Sequence, residues 1–112
     1  LSLRELAAQP LIMLEEKANS RLYVQRFFLR KGIELNPEIE LASYELMGEL
    51  ARINLGLSCM VREFCAEELR QKKVFEVNLA EPIPARSIGM VSLKGVSLPP
   101  AASRFLELLT SL

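Results

Sequence analysis

The run LIMLEEKANSRLYVQRFFLRKGIELNPEIELAS, residues 11–43, predicts a strand, a helix and a second strand in succession. Residues 11–14 form an unbroken apolar run, which is typical of a strand covered on both faces. Asn19 or Ser20 is placed to cap a helix that extends to residue 31, and Gly32 provides its left-handed exit. In residues 38–42 apolar side chains alternate with glutamates, which indicates a second, half-buried strand.

The same alternation of strands and helices continues on both sides of this run. Ser43 is a good cap for the helix that follows, with Gly56 predicted to end it. The remaining predicted elements are helices over residues 3–8, 44–55, 66–73 and 100–111 and strands over residues 57–61, 74–79 and 87–93. Strands joined by helical crossovers form a parallel sheet with helices on its faces. We therefore expect an α/β fold, a parallel-sheet three-layer sandwich.

Composition excludes several function classes. The 112 residues carry 14 basic and 14 acidic side chains, so the chain has no overall positive charge for binding nucleic acid. It has no histidine, which removes His-dependent nucleophiles and His-containing metal sites. Cys59 and Cys65 alone cannot complete a zinc site, nothing suggests a disulfide, and Cys59 lies in an apolar run that predicts a buried thiol. We predict no catalytic residue, no metal and no cofactor.

A set of short motifs follows in a fixed order along the chain. They are Leu3-x-x-Leu6, Pro10-Leu11-Ile12, Phe27-Phe28, Leu55-Gly56-Leu57-Ser58, Pro84-x-Arg86-x-Ile88-x-Met90-Val91 and Leu98-x-x-Ala101-Ala102. In this order they resemble the effector-binding domain of LysR-type transcriptional regulators over essentially all 112 residues. The resemblance implies half of a type 2 periplasmic-binding-protein-like fold. Residues 1–84 would form the second effector-binding subdomain, and residues 85–112 the strand and helix that return to the first.

The resemblance implies a ligand-sensing module that binds a small organic effector in a cleft between two subdomains. It also implies a homo-oligomer, dimer or tetramer, that contacts DNA only through an N-terminal winged helix-turn-helix absent from this chain. No signal peptide or bilayer-spanning apolar stretch is evident, so a cytoplasmic protein without membrane contact is expected. A type 2 solute-binding domain for transport shares the architecture, although the tail motifs favour the regulator. A small α/β enzyme is disfavoured by the missing histidine and catalytic motifs.

The rule that ligands bind beyond the carboxyl ends of parallel strands locates the candidate site. Two loops satisfy it, each leading to a helix N-terminus whose free N–H groups suit an anion. The predicted ligand-binding residues are Glu15, Glu16, Asn19, Ser20, Ser43 and Tyr44. The two glutamates either point to water or favour a ligand with an ammonium or several hydroxyls, because they would repel an acid unless Lys17 or Arg21 offsets them. Ser43 is either a plain helix cap or a ligand contact.

The helix after the first strand carries apolar residues on two sides. Its main stripe predicts the core, whereas the apolar residues on the opposite side indicate a helix that is either sandwiched or meets a partner. The resemblance implies the second, contact with another protomer. The predicted interface residues are Leu22, Leu29, Ile33 and Ile39. Residues 86–112 are also strongly apolar, through Phe105, Leu106, Leu108, Leu109 and Leu112 and through Ile88, Met90, Val91 and Leu93. We expect them to pack against another protomer or, less favourably, to fold back on the chain.

Overall fold

The computed structural model describes residues 1–87 and 89–111. The elements in chain order are α1 (Leu3–Ala7), β1 (Leu11–Leu14), α2 (Asn19–Arg30), β2 (Ile39–Leu41), α3 (Tyr44–Arg52), β3 (Leu57–Ser58), a 3-10 turn (Arg62–Cys65), α4 (Ala66–Arg70) and α5 (Pro100–Thr110). Strands and helices alternate through the first half of the chain, as the sequence predicts. Ile88 and Leu112, which belong to the predicted tail surface, lie outside the described residues.

The three strands form one parallel sheet in the order β2-β1-β3. Ile12 lies opposite Ile39 and Leu14 opposite Leu41, while Leu11 pairs with Leu57 on the other side of β1. The prediction of a parallel α/β fold is confirmed. The apolar run of β1 is explained by its central position, because a middle strand is covered on both faces.

Side chains of β1 enter two separate cores. Alternate side chains of a strand point to opposite faces of its sheet, so Leu11 and Met13 face one way and Ile12 and Leu14 the other. The first cluster, on the side of α1 and α2, contains Leu3, Leu11, Met13, Val24, Phe27, Phe28, Ile33 and Leu35. The second cluster, on the side of α3, contains Ile12, Leu14 and Met47. Helices therefore pack against both faces of this small sheet.

The start of α2 differs from the prediction. Its N-cap is Ala18, whose N–H donates to the Glu15 carbonyl oxygen at 3.0 Å, and no side chain caps the helix. The predicted cap by Asn19 or Ser20 is wrong because this tight turn brings the chain into the helix one residue earlier. By contrast, the Ser43 hydroxyl accepts a hydrogen bond from the Leu46 N–H at 3.3 Å, so the predicted cap of α3 is confirmed.

The end of α2 is the predicted left-handed exit at Gly32, where φ is +72°. The N–H groups of Gly32 and Ile33 donate to Leu29 and Phe28 carbonyl oxygens, each at 2.9 Å. This is the Schellman arrangement, which turns the first residue beyond the glycine back toward the last turn of the helix. As a result Ile33 enters the first cluster beside Phe28.

Gly56 does not end α3, contrary to the prediction. The helix stops at Arg52, and Asn54 takes the left-handed conformation with φ at +64°. Gly56 is instead required by a close approach, because a Cβ atom there would lie 2.7 Å from the Pro10 carbonyl oxygen. The glycine therefore allows β3 to pair closely with the start of β1.

Two predicted strands are wrong in the described residues. Residues 74–79 pair with no strand; they are held by the Leu1 amino group, which donates to the Asn78 carbonyl oxygen at 3.0 Å, and by an ion pair between Arg62 and Glu76. The described part of residues 87–93 is also without strand pairing, and Val91 is 99% exposed. Both stretches are rich in apolar residues that favour strands, but a strand forms only beside another strand, and none of the described strands pairs with them.

The chain ends in α5, which begins at Pro100 as predicted. Proline suits this first helical position because its missing N–H would be unpaired there in any case. None of the described residues of α5 is buried. The helix therefore presents Phe105, Leu108 and Leu109 to solvent.

Candidate functional site

The predicted ligand loops meet at one edge of the sheet. Strands β1 and β2 end side by side, with Leu14 opposite Leu41, and the Glu15 N–H extends the ladder by donating to the Leu41 carbonyl oxygen at 2.9 Å. The chain then enters α2 from the first loop and α3 from the second. Two helix N-termini are therefore placed beyond the carboxyl ends of neighbouring parallel strands, the usual position of ligand sites in such sheets.

The first loop is open to solvent. Glu15 and Glu16 are exposed, and neither forms an ion pair with a described residue. Asn19 is also exposed, as the first residue of α2. Ser20 is half-buried, and its Oγ accepts a hydrogen bond from Arg86 Nη1 at 3.4 Å. The loop thus presents carboxylate oxygens to the edge of the sheet, next to the free N–H groups of the helix.

The second loop is more constrained. Ser43 is exposed, but its hydroxyl is engaged with the Leu46 N–H of its own helix. Tyr44 is half-buried against the second cluster and packs edge-on against Phe64, with ring centroids 6.0 Å apart. The structure therefore brings all six predicted residues to the same edge, where the tyrosine ring packs against Phe64 and the glutamates are exposed.

Arg21 was expected only as a charge that could offset the two glutamates, and its burial at this edge was not predicted. It is only 5% exposed, and its Nη1 donates to the Leu14 carbonyl oxygen at 2.9 Å and to Glu40 Oε1 at 3.2 Å. Its Nε donates to Gln25 Oε1 at 3.2 Å. A guanidinium, with several donors in a fixed plane, can satisfy all of these acceptors at once. Arg21 ties the end of β1 to β2 and holds a positive charge beneath the first loop.

The predicted interface residues do not share one surface. Leu29 is 49% exposed on α2, and Leu22 is half-buried on the same helix. Ile39 is half-buried against the second cluster. Ile33 is only 7% exposed and belongs to the first cluster, so its assignment to an exposed surface is corrected. The Schellman turn after α2 explains this burial.

A crossing segment, residues 82–87, passes over α2. The Tyr23 hydroxyl donates to the Pro84 carbonyl oxygen at 2.5 Å, and the Ala85 carbonyl oxygen lies 3.3 Å from it. The Arg86 guanidinium lies over the Tyr23 ring, 5.5 Å from its centroid. One side chain of α2 thus contacts the crossing segment by both its ring and its hydroxyl, which fixes where the segment leaves the α/β unit.

The described residues offer little reactive chemistry. Cys59 and Cys65 are free, and burial raises the pKa of the Cys59 thiol, which keeps it protonated and unreactive at neutral pH. Within residues 1–87 and 89–111, no group of three Cys, Asp or Glu side chains is close enough to hold a metal ion. Of the helices in this part of the chain, none combines the length and apolarity needed to cross a bilayer.

Comparison with known proteins gives consistent matches. The family model described as LysR substrate binding domain matches residues 1–112. The chain is 27% identical over 111 residues to a RuBisCO operon transcriptional regulator from Allochromatium vinosum, covering 99% of this chain and 37% of that protein. It is 27% identical over 107 residues to the uncharacterized HTH-type transcriptional regulator YeiE from Escherichia coli, covering 96% of this chain and 36% of that protein.

A shorter stretch of the chain matches the HTH-type transcriptional activator CmpR from Synechocystis. It is 33% identical over 60 residues, which is 54% of this chain and 20% of that protein. The chain spans little more than a third of the length of the first two relatives.

Proposed function

Because the chain belongs to the LysR substrate-binding domain family, we propose that it is the ligand-sensing part of a LysR-type transcriptional regulator. Family membership implies the periplasmic-binding-protein-like fold. We further propose that residues 1–84 form one subdomain of it, a three-layer sandwich, and that residues 85–112 return to the other subdomain. The crossing segment is then the connection between the two, and a small organic effector occupies the cleft between them. We assign the chain a binding role without a catalytic step.

The observation that carries this proposal is the shared edge of β1 and β2. Leu14 and Leu41 lie opposite each other, so the N-termini of α2 and α3 begin within one loop cluster. Unpaired N–H groups at a helix N-terminus favour a carboxylate, a hydroxyl or another acceptor. Glu15 and Glu16 add exposed carboxylates that accept hydrogen bonds from hydroxyl or ammonium groups. This edge therefore suits a ligand with both acceptor and donor groups.

We propose that the effector acts by favouring one arrangement of the two subdomains. A ligand shifts such an equilibrium only by its difference in affinity for the two arrangements. Contacts to the helix N-termini of residues 1–84 on one wall and to the other subdomain on the opposite wall would exist together only in the closed arrangement. In a cytoplasmic dimer or tetramer, closure would change the spacing of winged helix-turn-helix domains on DNA. The names of the relatives support a regulator rather than a transport protein.

The test replaces Ser43, the exposed residue that begins α3. In the complete regulator we expect Ser43→Trp to raise the effector concentration for half-maximal response at least about tenfold, because the indole fills the space beside the helix N-terminus. Loss of the cap costs only about 1 kcal/mol of stability, so the protein stays folded. The effector is first identified by native mass spectrometry of the purified protein, and the response is measured with a transcriptional reporter.

Two further variants separate obstruction from loss of the cap. Ser43→Thr keeps the capping hydroxyl and adds one methyl group, so its response curve is expected within about twofold of the wild type. Ser43→Ala removes the cap without adding bulk and is expected to behave similarly. An unchanged dose–response curve for a folded Ser43→Trp protein would refute the assignment of this edge as the effector site.

A further inference from the structure

A groove of about 480 Å³ runs along the outer side of α2. The helix contributes Asn19, Leu22, Tyr23, Arg26 and Arg30 to it, and the crossing segment contributes Arg86. From Asn19 to Arg30 the helix rises about 16 Å, so the groove is elongated. The groove begins at Asn19, one of the predicted ligand-binding residues, and lies apart from Ser43 and Tyr44. Tyr23 packs against the first cluster and Tyr44 against the second, on the other face of the sheet.

The charge of this groove is one-sided. Three arginines line it, Arg26, Arg30 and Arg86, without any carboxylate among the lining residues. All three are exposed, and none forms an ion pair with the carboxylates of the described residues. By contrast, the arginines that do form ion pairs are Arg21, Arg52, Arg62, Arg70 and Arg104. In a chain of zero net charge, this concentration of unpaired guanidinium groups attracts anions locally.

One of these guanidinium groups is already held in position. Arg86 lies over the Tyr23 ring and donates to Ser20 Oγ at 3.4 Å, which restricts its side chain to the side of α2. The Tyr23 hydroxyl holds the backbone of the same segment through the Pro84 carbonyl oxygen. Restricting an arginine in advance lowers the entropy lost when it binds a ligand. Arg86 lines the groove together with Arg26 and Arg30.

We propose that this groove binds a small organic polyanion, one with two or more carboxylate or phosphate groups, between Arg86 and the pair Arg26 and Arg30. Guanidinium groups bind both chemistries through paired N–H donors. Because the arginines belong to two separate segments, the bound anion joins the crossing segment to α2. It therefore stabilises one direction in which the tail, described over residues 89–111, leaves the α/β unit. The site adjoins the proposed effector site at the edge of β1 and β2, with which it shares Asn19.

The experiment titrates the full chain with citrate and with pyrophosphate by isothermal calorimetry at constant ionic strength. The two probes represent carboxylate and phosphate sources of the same anionic chemistry. We expect Arg86→Gln and Arg30→Gln each to weaken binding about three- to tenfold, a range that allows for the solvent exposure of the groove. Arg104→Gln is the matched control, because it removes the same charge from α5, where Arg104 pairs with Glu107. It is expected to change affinity by less than twofold.

A second measurement tests the proposed link between segments. Amide hydrogen exchange at residues 85–87 is expected to slow when citrate or pyrophosphate is added to the wild type. In Tyr23→Phe, which loses the hydroxyl bonded to Pro84, this protection should shrink while α2 stays folded. Exchange that slows equally in the Arg86→Gln variant would contradict the bridging role.

Three results would overturn a separate anion site in this groove. The first is absence of binding at millimolar probe, or an equal loss of affinity in Arg104→Gln. The second is self-association that depends on Arg26 and Arg30 and excludes both probes, because an acidic surface of a second copy would then occupy the groove. The third is loss of probe binding in Ser43→Trp, which is expected to leave the titration unchanged. Failure of the effector site at Ser43 therefore leaves the groove result intact.

Discussion

Arg21 is a buried charged residue whose hydrogen bonds connect the elements that meet at the sheet edge. Transferring a guanidinium from water is costly unless its donors are satisfied, and here a backbone carbonyl, a carboxylate and an amide oxygen accept from it. Glu40 remains half-exposed at 45%, so the pair keeps contact with solvent on one side. The interaction therefore joins β1, β2 and α2 at the position where the proposed effector binds.

We expect Arg21→Ala to lower the free energy of unfolding by about 2 kcal/mol, because the Leu14 carbonyl oxygen loses its charged donor and a buried stem is removed. Arg26→Ala is the matched control on the same helix, since Arg26 is exposed and forms no ion pair with a described residue. Its effect should stay within about 0.5 kcal/mol. Urea unfolding followed by circular dichroism gives both values, and equal midpoints for the two variants would contradict the assigned role.

The sequence does contain a signal for the burial of Arg21. This residue is in helical phase with Val24 and Phe28, at spacings of three and seven, and both of these are in the first cluster. A charged residue in phase with a core stripe has to find partners inside the protein. Those partners come from two strands distant in sequence, so their identity depends on the fold and could not be derived from the helix alone.

At the scale of elements, the sequence pattern predicted correctly those features that depend on residues close together in the chain. The unbroken apolar run of β1 predicted a strand covered on both faces, and its residues do enter the two clusters alternately. The loops after β1 and β2 were placed correctly at one sheet edge because parallel strands necessarily end on the same side. The Ser43 cap was predictable because it is a local contact: the hydroxyl and the N–H that donates to it lie within one helical turn.

Elements that depend on distant partners were not predictable in this way. Phe75 is 80% exposed in a stretch with a strand-like composition, because a strand exists only where another strand can pair with it. Ile33 was predicted to lie at an exposed interface, but the left-handed turn at Gly32 directs it into the first cluster. The contact of Arg86 with Ser20 joins residues 66 positions apart, and no local pattern predicts it.

Gly56 provides the prediction at this scale, because it sets the distance between β3 and the start of β1. A Cβ atom there would lie 2.7 Å from the Pro10 carbonyl oxygen and 3.2 Å from Ile12 Cγ1, so the two backbones would have to separate. We expect Gly56→Ala to lower the free energy of unfolding by about 2–3 kcal/mol, in the range of overpacked cores. The pairing of Leu11 with Leu57 should weaken first.

Gly48→Ala is the control for this variant. Gly48 lies inside α3, and a Cβ atom there would meet Met60 at an ordinary 3.6 Å. Since alanine favours a helix interior more than glycine does, this change should be neutral or stabilising by up to about 1 kcal/mol. Thermal unfolding of both variants checks the contrast, and an equally stable Gly56→Ala protein would show that the close approach is not needed.

At the scale of the whole molecule, the chain is more extended than its length requires. Its Cα radius of gyration is 17.5 Å, whereas a compact domain of this length has about 13 Å. The accessible surface is 8715 Å², against about 6,200 Å² for a compact monomer of this mass. The tail contributes to this excess, because Val91 and Leu93 are exposed and α5 has no buried residue within the part described. The α/β unit is folded around its own core, and the tail is not.

This distribution leads to a final prediction about association. Burying one leucine or phenylalanine stabilises a protein by roughly 1.5–3 kcal/mol, so a helix that exposes Phe105, Leu108 and Leu109 gains by covering them. The proposed assignment of residues 85–112 to the other subdomain supplies the natural cover, and in its absence a second copy of the chain is the available apolar surface. We expect the 112-residue chain to show a mass above 12.6 kDa by light scattering at micromolar concentration.

The double variant Phe105→Asp with Leu108→Asp should return that mass to the monomer value, because it places two charges in the apolar face of α5. Arg104→Gln, on the same helix, changes its charge and leaves this apolar face intact, so it should associate like the wild type. A wild-type chain that stays monomeric at tens of micromolar would show that the tail needs no partner. The assignment of residues 85–112 to the other subdomain would then lose its physical basis, since an apolar surface that is stable in water does not require the rest of a domain to cover it.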